Sequence, residues 1–220
     1  MRMNLRHLFS FLLLSATLAL AACAGGPSVS MTAADRTAIK QVAVLGDIKL
    51  PDAFSYQERG AGAGAMFGLI GALAEASARS SAPPSEAAQM QALIKSNDIV
   101  VGNILRAEFI RAANARDGIR FADSAAAADA DLTLTVNMFG FHRAHVLGAQ
   151  LYPIYNVTAS MKRRDGVVLW QKTDYLMPTS LIEETGFSFS EYQQDPAKLR
   201  TALTRTAASL MSLLADKLPS

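Results

Sequence analysis

The most regular alternation of hydrophobic and polar residues lies in the middle of the chain, at residues 132–138, where Leu, Leu, Val and Met are separated by Thr, Thr and Asn. A period of two is typical of a β-strand with one buried face. Residues 155–162 and 167–175 are predicted to be two more strands, because the Asp165-Gly166 pair between them favours a tight hairpin turn. The centre of the chain therefore predicts three consecutive antiparallel strands.

Hydrophobic residues recur at helical spacing on both sides of these strands. Residues 99–114 follow the cap-forming Ser96-Asn97-Asp98, and Asp195-Pro196 opens a long helix that Pro219 ends. The faces predicted to be buried are Val101, Leu105, Phe109 and Ala112 in the first helix and Leu199, Leu203, Ala207, Leu210, Leu214 and Leu218 in the second. The arginines predicted to point away from the sheet are Arg106, Arg111 and Arg116.

Shorter segments complete the predicted order. Residues 41–50 form a first strand that Pro51 stops, with Val42 and Val44 directed inward and Leu45 as a further candidate for that face. Residues 119–122 form a short strand, and residues 123–131 form an alanine-rich turn or short helix. This order predicts an α+β fold: a mainly antiparallel sheet of about four to five strands with two long helices packed on one face. Residues 39–220 would make a single domain.

The first residues have the pattern of an export signal. Arg2 and Arg6 precede an uncharged stretch, rich in Leu and Phe, that runs to Ala22. The Leu20-Ala21-Ala22-Cys23 sequence resembles the lipobox of bacterial lipoproteins. That resemblance implies cleavage after residue 22, a diacylglycerol thioether on the Cys23 sulfur and an acyl chain on its freed amine. The alternatives are an ordinary cleavable signal or a single transmembrane helix.

The lipobox resemblance also implies a location. Ala24 and Gly25 follow the cysteine where a signal for retention in the inner membrane would usually place Asp. By analogy with lipoproteins of double-membrane bacteria, the protein is expected at the outer membrane, facing the periplasm. Residues 23–38 would be a flexible tether between the lipid and the domain. No cofactor is expected other than the covalent lipid on Cys23.

Composition excludes several classes of function. Removing residues 1–22 takes away two of 21 basic side chains and none of 19 acidic ones, so the mature chain has a formal net charge of zero. Such a chain lacks the excess of cations that nucleic-acid binding needs, and nucleic acid is not expected among its partners. One cysteine closes no internal disulfide, and three histidines leave little for a metal site, so none is predicted.

The least ordinary segment is an uncharged run of Gly and Ala at residues 60–74, within an insertion at residues 60–85. Gly64 and Gly68 match the small-xxx-small pattern of close helix packing, but the run is too short for a comfortable membrane span. An interfacial helix, a self-association segment and a flexible insertion all remain open. The residues predicted to contact membrane or neighbouring subunits are Gly60, Gly62, Gly64, Met66, Phe67, Gly68, Leu69, Ile70 and Gly71.

No catalytic residue is predicted. Ser188 lies in a Gly-Phe-Ser-Phe-Ser sequence that lacks the closing glycine of a nucleophile elbow, and no histidine follows it. His142 and His145 are interpreted as exposed loop residues rather than metal ligands. Other candidates receive structural interpretations: Arg163 and Arg164 in a solvated turn, Asp129 and Asp131 at a strand entrance, Trp170 and Tyr175 packed on the sheet, and Met138 and Met161 in the core.

Three stretches carry a family resemblance. Residues 128–134, 155–159 and 165–170 resemble the periplasmic domain of the curli-secretion lipoprotein group and kindred envelope lipoproteins, in outline over residues 40–218. The leading hypothesis is a lipid-anchored, non-enzymatic accessory or assembly subunit of an outer-membrane transport, secretion or envelope-building complex, with other envelope proteins or further copies of itself as partners. The alternative is a periplasmic module that binds a small apolar or glycan ligand between the sheet and the Phe187/Phe189 loop. A hydrolase using Ser188 ranks third.

Overall fold

The computed structural model describes residues 28–57, 84–123, 128–145, 147–178 and 185–219. These residues form an α+β domain with seven strands and five helices. The strands are β1 Gln41–Val44, β2 Phe54–Tyr56, β3 Arg120–Ala122, β4 Ala130–His142, β5 Gln150–Arg163, β6 Val168–Leu176 and β7 Phe187–Ser188. The helices are α1 Ala33–Ala38, α2 Glu86–Ser96, α3 Val101–Asn114, α4 Phe189–Gln194 and α5 Pro196–Asp216.

The sheet is mixed, with a main path of β3-β1-β4-β5-β6. Strands β4, β5 and β6 are antiparallel neighbours, as predicted, and Gly166 has the positive φ of 90° that the turn between β5 and β6 requires. Strand β1, however, lies parallel to both β3 and β4, and β2 lies parallel to β4. The α+β class is therefore confirmed, whereas the predicted mainly antiparallel sheet of about four to five strands with two long helices is only roughly matched, because the sheet is mixed and the described residues form seven strands and five helices.

Strand β4 organises the sheet by pairing β5 on one side and two short strands in succession on the other. Its start lies beside β1 and its end beside β2. Only glycine fits at position 140, since a Cβ there would lie 1.6 Å from the carbonyl oxygen of Ser55 in β2. Strand β2 was not predicted, and β1 is shorter than predicted because it ends at Val44, which leaves Leu45 exposed.

A bulge between Val136 and Met138 changes the faces of β4. Before it, Leu132, Leu134 and Val136 are buried; after it, Phe139 and Phe141 take the buried positions. Met138 is thus shifted to the other face, which makes its assignment to the core wrong. Met161 in β5 is fully buried, as predicted.

Helices α3 and α5 cover one face of the sheet, which we call the covered face. The predicted apolar positions of both helices are buried, and burying each large side chain contributes about 1.5–3 kcal/mol. Asp195 caps α5 by accepting a hydrogen bond from the Ala197 N–H at 3.0 Å. Trp170 packs beneath the helix end, as predicted, and its indole donates to the carbonyl of Lys217 at 3.0 Å.

Helix α2 was not predicted, and it changes the role of the residues that follow it. The Asn97 amide donates to the carbonyl of Leu93 at 2.8 Å, which closes the end of α2 rather than starting α3. Helix α3 begins at Val101 with no side-chain cap. Within the described ranges, no helix is long and apolar enough to cross a membrane.

Among the α3 arginines, Arg106 behaves differently from the prediction. Its guanidinium donates to the carbonyl of Val44, the last residue of β1, at 2.9 Å, so it holds the helix to the sheet instead of pointing away. Arg111 and Arg116 do lie toward the surface, where they pair with Glu108 and Asp216.

Candidate functional site

The residues predicted from sequence to contact membrane or partners lie outside the described residues. These are Cys23 and the set from Gly60 to Gly71. The structure does describe the chain next to both: it begins at Ser28, five positions after the cysteine, and it flanks the insertion at Gln57 and Pro84. The candidate site is therefore built from the surfaces on which these neighbouring segments lie.

The described segment that follows Cys23 in the sequence is held along the edge strand β6. Val29 and Gln171 exchange two backbone hydrogen bonds, at 3.1 and 3.0 Å, in an antiparallel bridge. Beside this bridge the Lys172 ammonium donates to the Ser28 hydroxyl. Met31 is buried, and Thr32 caps α1. The described part of the predicted tether, residues 28–38, is therefore packed on the domain, because backbone pairing and an apolar anchor fix it there.

A buried arginine joins the two ends of the Gly/Ala-rich insertion. The backbone N–H of Arg143 donates to the side-chain oxygen of Gln57 at 3.0 Å, and its guanidinium donates to Glu86 at 3.2 Å. Tyr56 donates to the same Glu86 oxygen at 2.9 Å. We call this group, Tyr56, Gln57, Glu86 and Arg143, the insertion clamp.

The insertion clamp is a buried polar structure. Only 3% of the Arg143 side chain is exposed, against 40% of Glu86. The guanidinium also donates to the carbonyls of Gly148 and Ala149, at 3.0 and 2.8 Å. Its Nε is buried without a hydrogen-bond partner in the described part of the chain. A buried cation needs several such acceptors to offset lost hydration, and the arginine thereby fixes the loop at residues 147–149 as well.

The two segments lie toward opposite ends of β4. Val29 pairs with Gln171 of β6, and across the sheet Gln171 is aligned with Ser160 of β5 and Thr133 of β4. Tyr56 pairs instead with Phe141, near the other end of β4. At about 3.3 Å per residue, Thr133 and Phe141 are about 25 Å apart along the strand. The segment that begins at Ser28 and the two described ends of the insertion therefore lie at different ends of the sheet.

A serine and a histidine meet at the insertion end of the sheet. Ser55 Oγ lies 2.7 Å from His142 Nε2, and burial lowers the pKa of His142 below its ordinary value of 6.5. The interpretation of both histidines as exposed loop residues is wrong for His142, which is half-buried in β4, and correct for His145. Among the described residues no group of three metal-ligating side chains forms.

Ser188 has a structural role at the start of α4. Its hydroxyl accepts from the Glu191 N–H at 3.3 Å, and its backbone N–H donates to the Glu191 carboxylate at 2.9 Å, so the two residues form a capping box. A hydrogen bond from Lys198, with those from Ser188, lowers the pKa of Glu191 to about 2. These contacts make Ser188 the N-cap of α4.

The space assigned to a ligand between the sheet and the Phe187/Phe189 loop is filled by protein. The Phe187 ring packs edge-on against Tyr192 at 5.7 Å, with the Lys198 ammonium 5.1 Å above it. Gly186 lies against Tyr152 so closely that a Cβ would be 2.3 Å from its ring. That position for the binding module is therefore wrong, because aromatic packing occupies it.

Charged residues near the hairpin have partners within the fold. Asp129 accepts hydrogen bonds from the Lys40 and Gln41 N–H groups, at 2.8 and 2.9 Å, which lower its pKa and confirm its place at a strand entrance. Arg163 pairs with Asp165 and Asp35 at 2.8 and 3.2 Å, so it is more than a solvated turn residue.

The sheet face opposite α3 and α5, the open face, presents three rows of uncharged side chains, all of them polar except Met138. Across β4, β5 and β6 the rows are Thr133–Ser160–Gln171, Thr135–Thr158–Thr173 and Met138–Asn156–Tyr175, with Asn137 at the bulge beside the last row. Asn137 belongs to this face because its amide donates to Asn156 and Thr158, at 2.8 and 2.9 Å. Tyr175 is 58% exposed, so its predicted packing on the sheet is wrong. The sequence showed the polar alternation but not its alignment across strands.

No protein-family model matches the chain, and no curated protein matches it. Solved structures that resemble it include a PelC dodecamer from Paraburkholderia phytofirmans, 15% identical, covering 88% of this chain and 98% of that one with a TM-score of 0.42. Protein XCC0632 from Xanthomonas campestris, a DUF330 protein, is 17% identical over 51% and 57%, with a TM-score of 0.35. Lipoprotein GNA1162 from Neisseria meningitidis is 15% identical over 62% and 81%, with a TM-score of 0.25. At these scores none of the likenesses decides a function.

Proposed function

We propose that this protein is a lipid-anchored, non-enzymatic accessory or assembly subunit of an outer-membrane transport, secretion or envelope-biogenesis complex, on the periplasmic face. The covalent lipid would be carried by Cys23. The resemblance to the curli-secretion lipoprotein group stays a prediction that agrees with this proposal.

The observation that carries the proposal is the pairing of Val29 with the β6 edge. Cys23 lies five positions before Ser28, so an extended chain of about 3.3–3.6 Å per residue keeps its sulfur within about 18 Å of that edge. An anchor on so short a connection would hold the domain at the membrane surface with the β6 side toward it. A subunit that must present fixed surfaces to neighbouring proteins benefits from such restricted orientation.

The insertion clamp supports contact with other subunits rather than with the anchoring bilayer. The segment between Gln57 and Pro84 leaves and returns at this clamp, about 25 Å from the anchored end by the strand rise. We expect the residues from Gly60 to Gly71 to contact a neighbouring protein or a second copy. Because the clamp holds both ends together, a deletion of residues 60–74 should leave the domain folded and reduce the mass of the assembled complex.

A hydrolase is the competing function, and the Ser55–His142 contact is the observation that favours it. A hydroxyl 2.7 Å from a neutral imidazole nitrogen has the geometry of a nucleophile and its base. A fluorophosphonate probe that labels the wild type but not a Ser55→Ala variant would establish this activity. Labelling equal in both variants, or absent from both, would favour the non-enzymatic role.

Metabolic labelling with palmitate, followed by membrane flotation, tests the anchor directly. The wild type should carry label and float with outer membranes, while a Cys23→Ser variant should do neither. Crosslinking in intact envelopes should then recover the same neighbours repeatedly for the wild type and lose them for the unlipidated variant. A Cys23→Ser variant that floats and crosslinks normally would contradict the proposed location and role.

A further inference from the structure

The three rows of the open face form a surface without charge, which we call the neutral platform. It consists of Thr133, Thr135, Asn137, Met138, Asn156, Thr158, Ser160, Gln171, Thr173 and Tyr175, of which Met138 alone is aliphatic. Charges resume in the next row, where Asp131 is opposite Lys162. Solvent-facing sheet positions commonly carry charged side chains that keep sheets from associating. Their absence from these rows lowers the desolvation cost of docking an uncharged ligand.

Hydrogen bonds within the neutral platform hold several of its side chains in position. The hydroxyls of Thr158 and Thr173 are 2.8 Å apart, and Asn137 donates to both Asn156 and Thr158. The platform thus offers preset donors and acceptors side by side, which suits ligand hydroxyls that both donate and accept.

An aromatic ring lies at one corner of this surface. Tyr175 is 58% exposed and belongs to the same row as Asn156. An exposed ring beside neutral hydrogen-bonding groups offers an apolar surface for the C–H face of a sugar ring, while its hydroxyl stays in water. The combination of flat aromatic and uncharged polar groups favours a saccharide over a charged or purely apolar ligand.

The size of the neutral platform limits its occupant. Three strands about 4.8 Å apart and three rows about 6.8 Å apart give, with side chains, roughly 300 Å². A stable protein–protein interface buries about 800 Å² on each partner. This surface is therefore too small by itself for a second copy or a folded partner, but it accommodates two or three sugar rings.

We propose that the neutral platform binds a short stretch of an uncharged, hydroxyl-rich glycan. The site does not depend on the proposed anchor, although the platform includes the edge strand on which the segment after Cys23 lies. A protein held near the membrane surface would then contact a glycan chain passing beside it.

Saturation-transfer NMR and titration on the full chain in detergent micelles test this proposal. The probes are cellohexaose, maltohexaose and chitohexaose, with polygalacturonate as the anionic and chitosan hexamer as the cationic comparison. At least one neutral hexasaccharide should bind. Tyr175→Ala should weaken its binding about tenfold, a loss of about 1.4 kcal/mol, and Tyr175→Phe should retain it. Asn137→Asp should weaken it as well, and the matched control is Leu213→Ala at an exposed site on α5.

Several results would overturn the proposal. The first is that none of the three neutral probes binds. The second is that the charged probes bind equally well and respond to the same substitutions. The third is that neither Tyr175→Ala nor Asn137→Asp changes binding. Native mass spectrometry that shows a dimer lost on Tyr175→Ala would assign the surface to a second copy instead. Because Tyr175→Phe conserves the ring, it separates loss of stacking from loss of folding.

Discussion

Strand β5 shows two different surfaces in one run of sequence. Val157, Ala159 and Met161 are fully buried beneath the helix layer, while the residues between them contribute only polar side chains to the open face. On the covered face, the volume of each apolar side chain determines stability, because these side chains pack against the helices. On the open face, the side chains differ in which hydrogen bonds they can donate and accept. The domain can thus change one surface for binding without changing the one that holds it together.

The largest difference between the faces should come from two neighbouring residues of β5. Met161→Ala removes a fully buried side chain from the covered face and should cost about 2–5 kcal/mol of unfolding free energy, since a cavity remains. Ser160→Ala, on the open face, should change it by less than about 0.5 kcal/mol. Urea denaturation followed by circular dichroism measures both. Equal losses would mean that the open face also contributes to the packed core.

At the insertion end of the sheet the buried side chains are not all apolar, because the charged side chain of Arg143 is buried there. Arg143→Met keeps much of the volume but leaves the carbonyls of Gly148 and Ala149 and the Glu86 carboxylate without their donor. We expect a loss of about 1–3 kcal/mol in unfolding free energy.

The matched control for Arg143 is Arg111→Met on α3. The Arg111 side chain is 62% exposed in its pair with Glu108, and an exposed ion pair contributes about 0–1 kcal/mol. Hydrogen exchange should also show faster exchange near residues 54–57 and 86–90 in the Arg143 variant. If both variants lost the same small amount, the buried guanidinium would not hold the ends of the insertion.

The smallest effect should be a pH dependence from His142, which lies on the open side of β4 beyond the neutral rows. Burial lowers its pKa below 6.5, so the unfolded chain takes up the proton first as the pH falls. Its contribution to unfolding free energy is therefore complete above about pH 6.5 and decreases as the pH is lowered toward the folded-state pKa. Urea midpoints between about pH 5 and 7 should show a shallower decrease for His142→Gln. An unchanged slope would contradict this role.

Local patterns predicted the elements whose signals are contained in a few residues. The alternation in β4, the Asp165-Gly166 turn and the Asp195-Pro196 start of α5 all depend on chemistry within one turn or strand. For the same reason, the buried faces of α3 and α5 were predicted nearly residue by residue. Three antiparallel strands followed because short connections favour neighbouring pairing.

Long-range contacts account for what the sequence did not predict. The parallel pairing of β1 with β3 joins residues almost eighty positions apart, and β2 has only three residues. The bulge at Asn137 changes which residues of β4 face the helices, and no glycine or proline at that position predicts it. Arg143 carries no sequence signal of burial, since one of its acceptors, Glu86, lies 57 positions away and the others, the carbonyls of Gly148 and Ala149, are backbone groups. The predicted contact residues, Cys23 and those from Gly60 to Gly71, stay predictions.

The bridge between Val29 and Gln171 has a mechanical consequence. A pull on the chain before Ser28 would reach the sheet at the edge of β6, at the Ser28–Lys172 contact and the two backbone hydrogen bonds of Val29. These few bonds would separate under load before β4 and β5, which are paired at twelve positions. The edge pairing would then release the first described residues while the central strands stay intact.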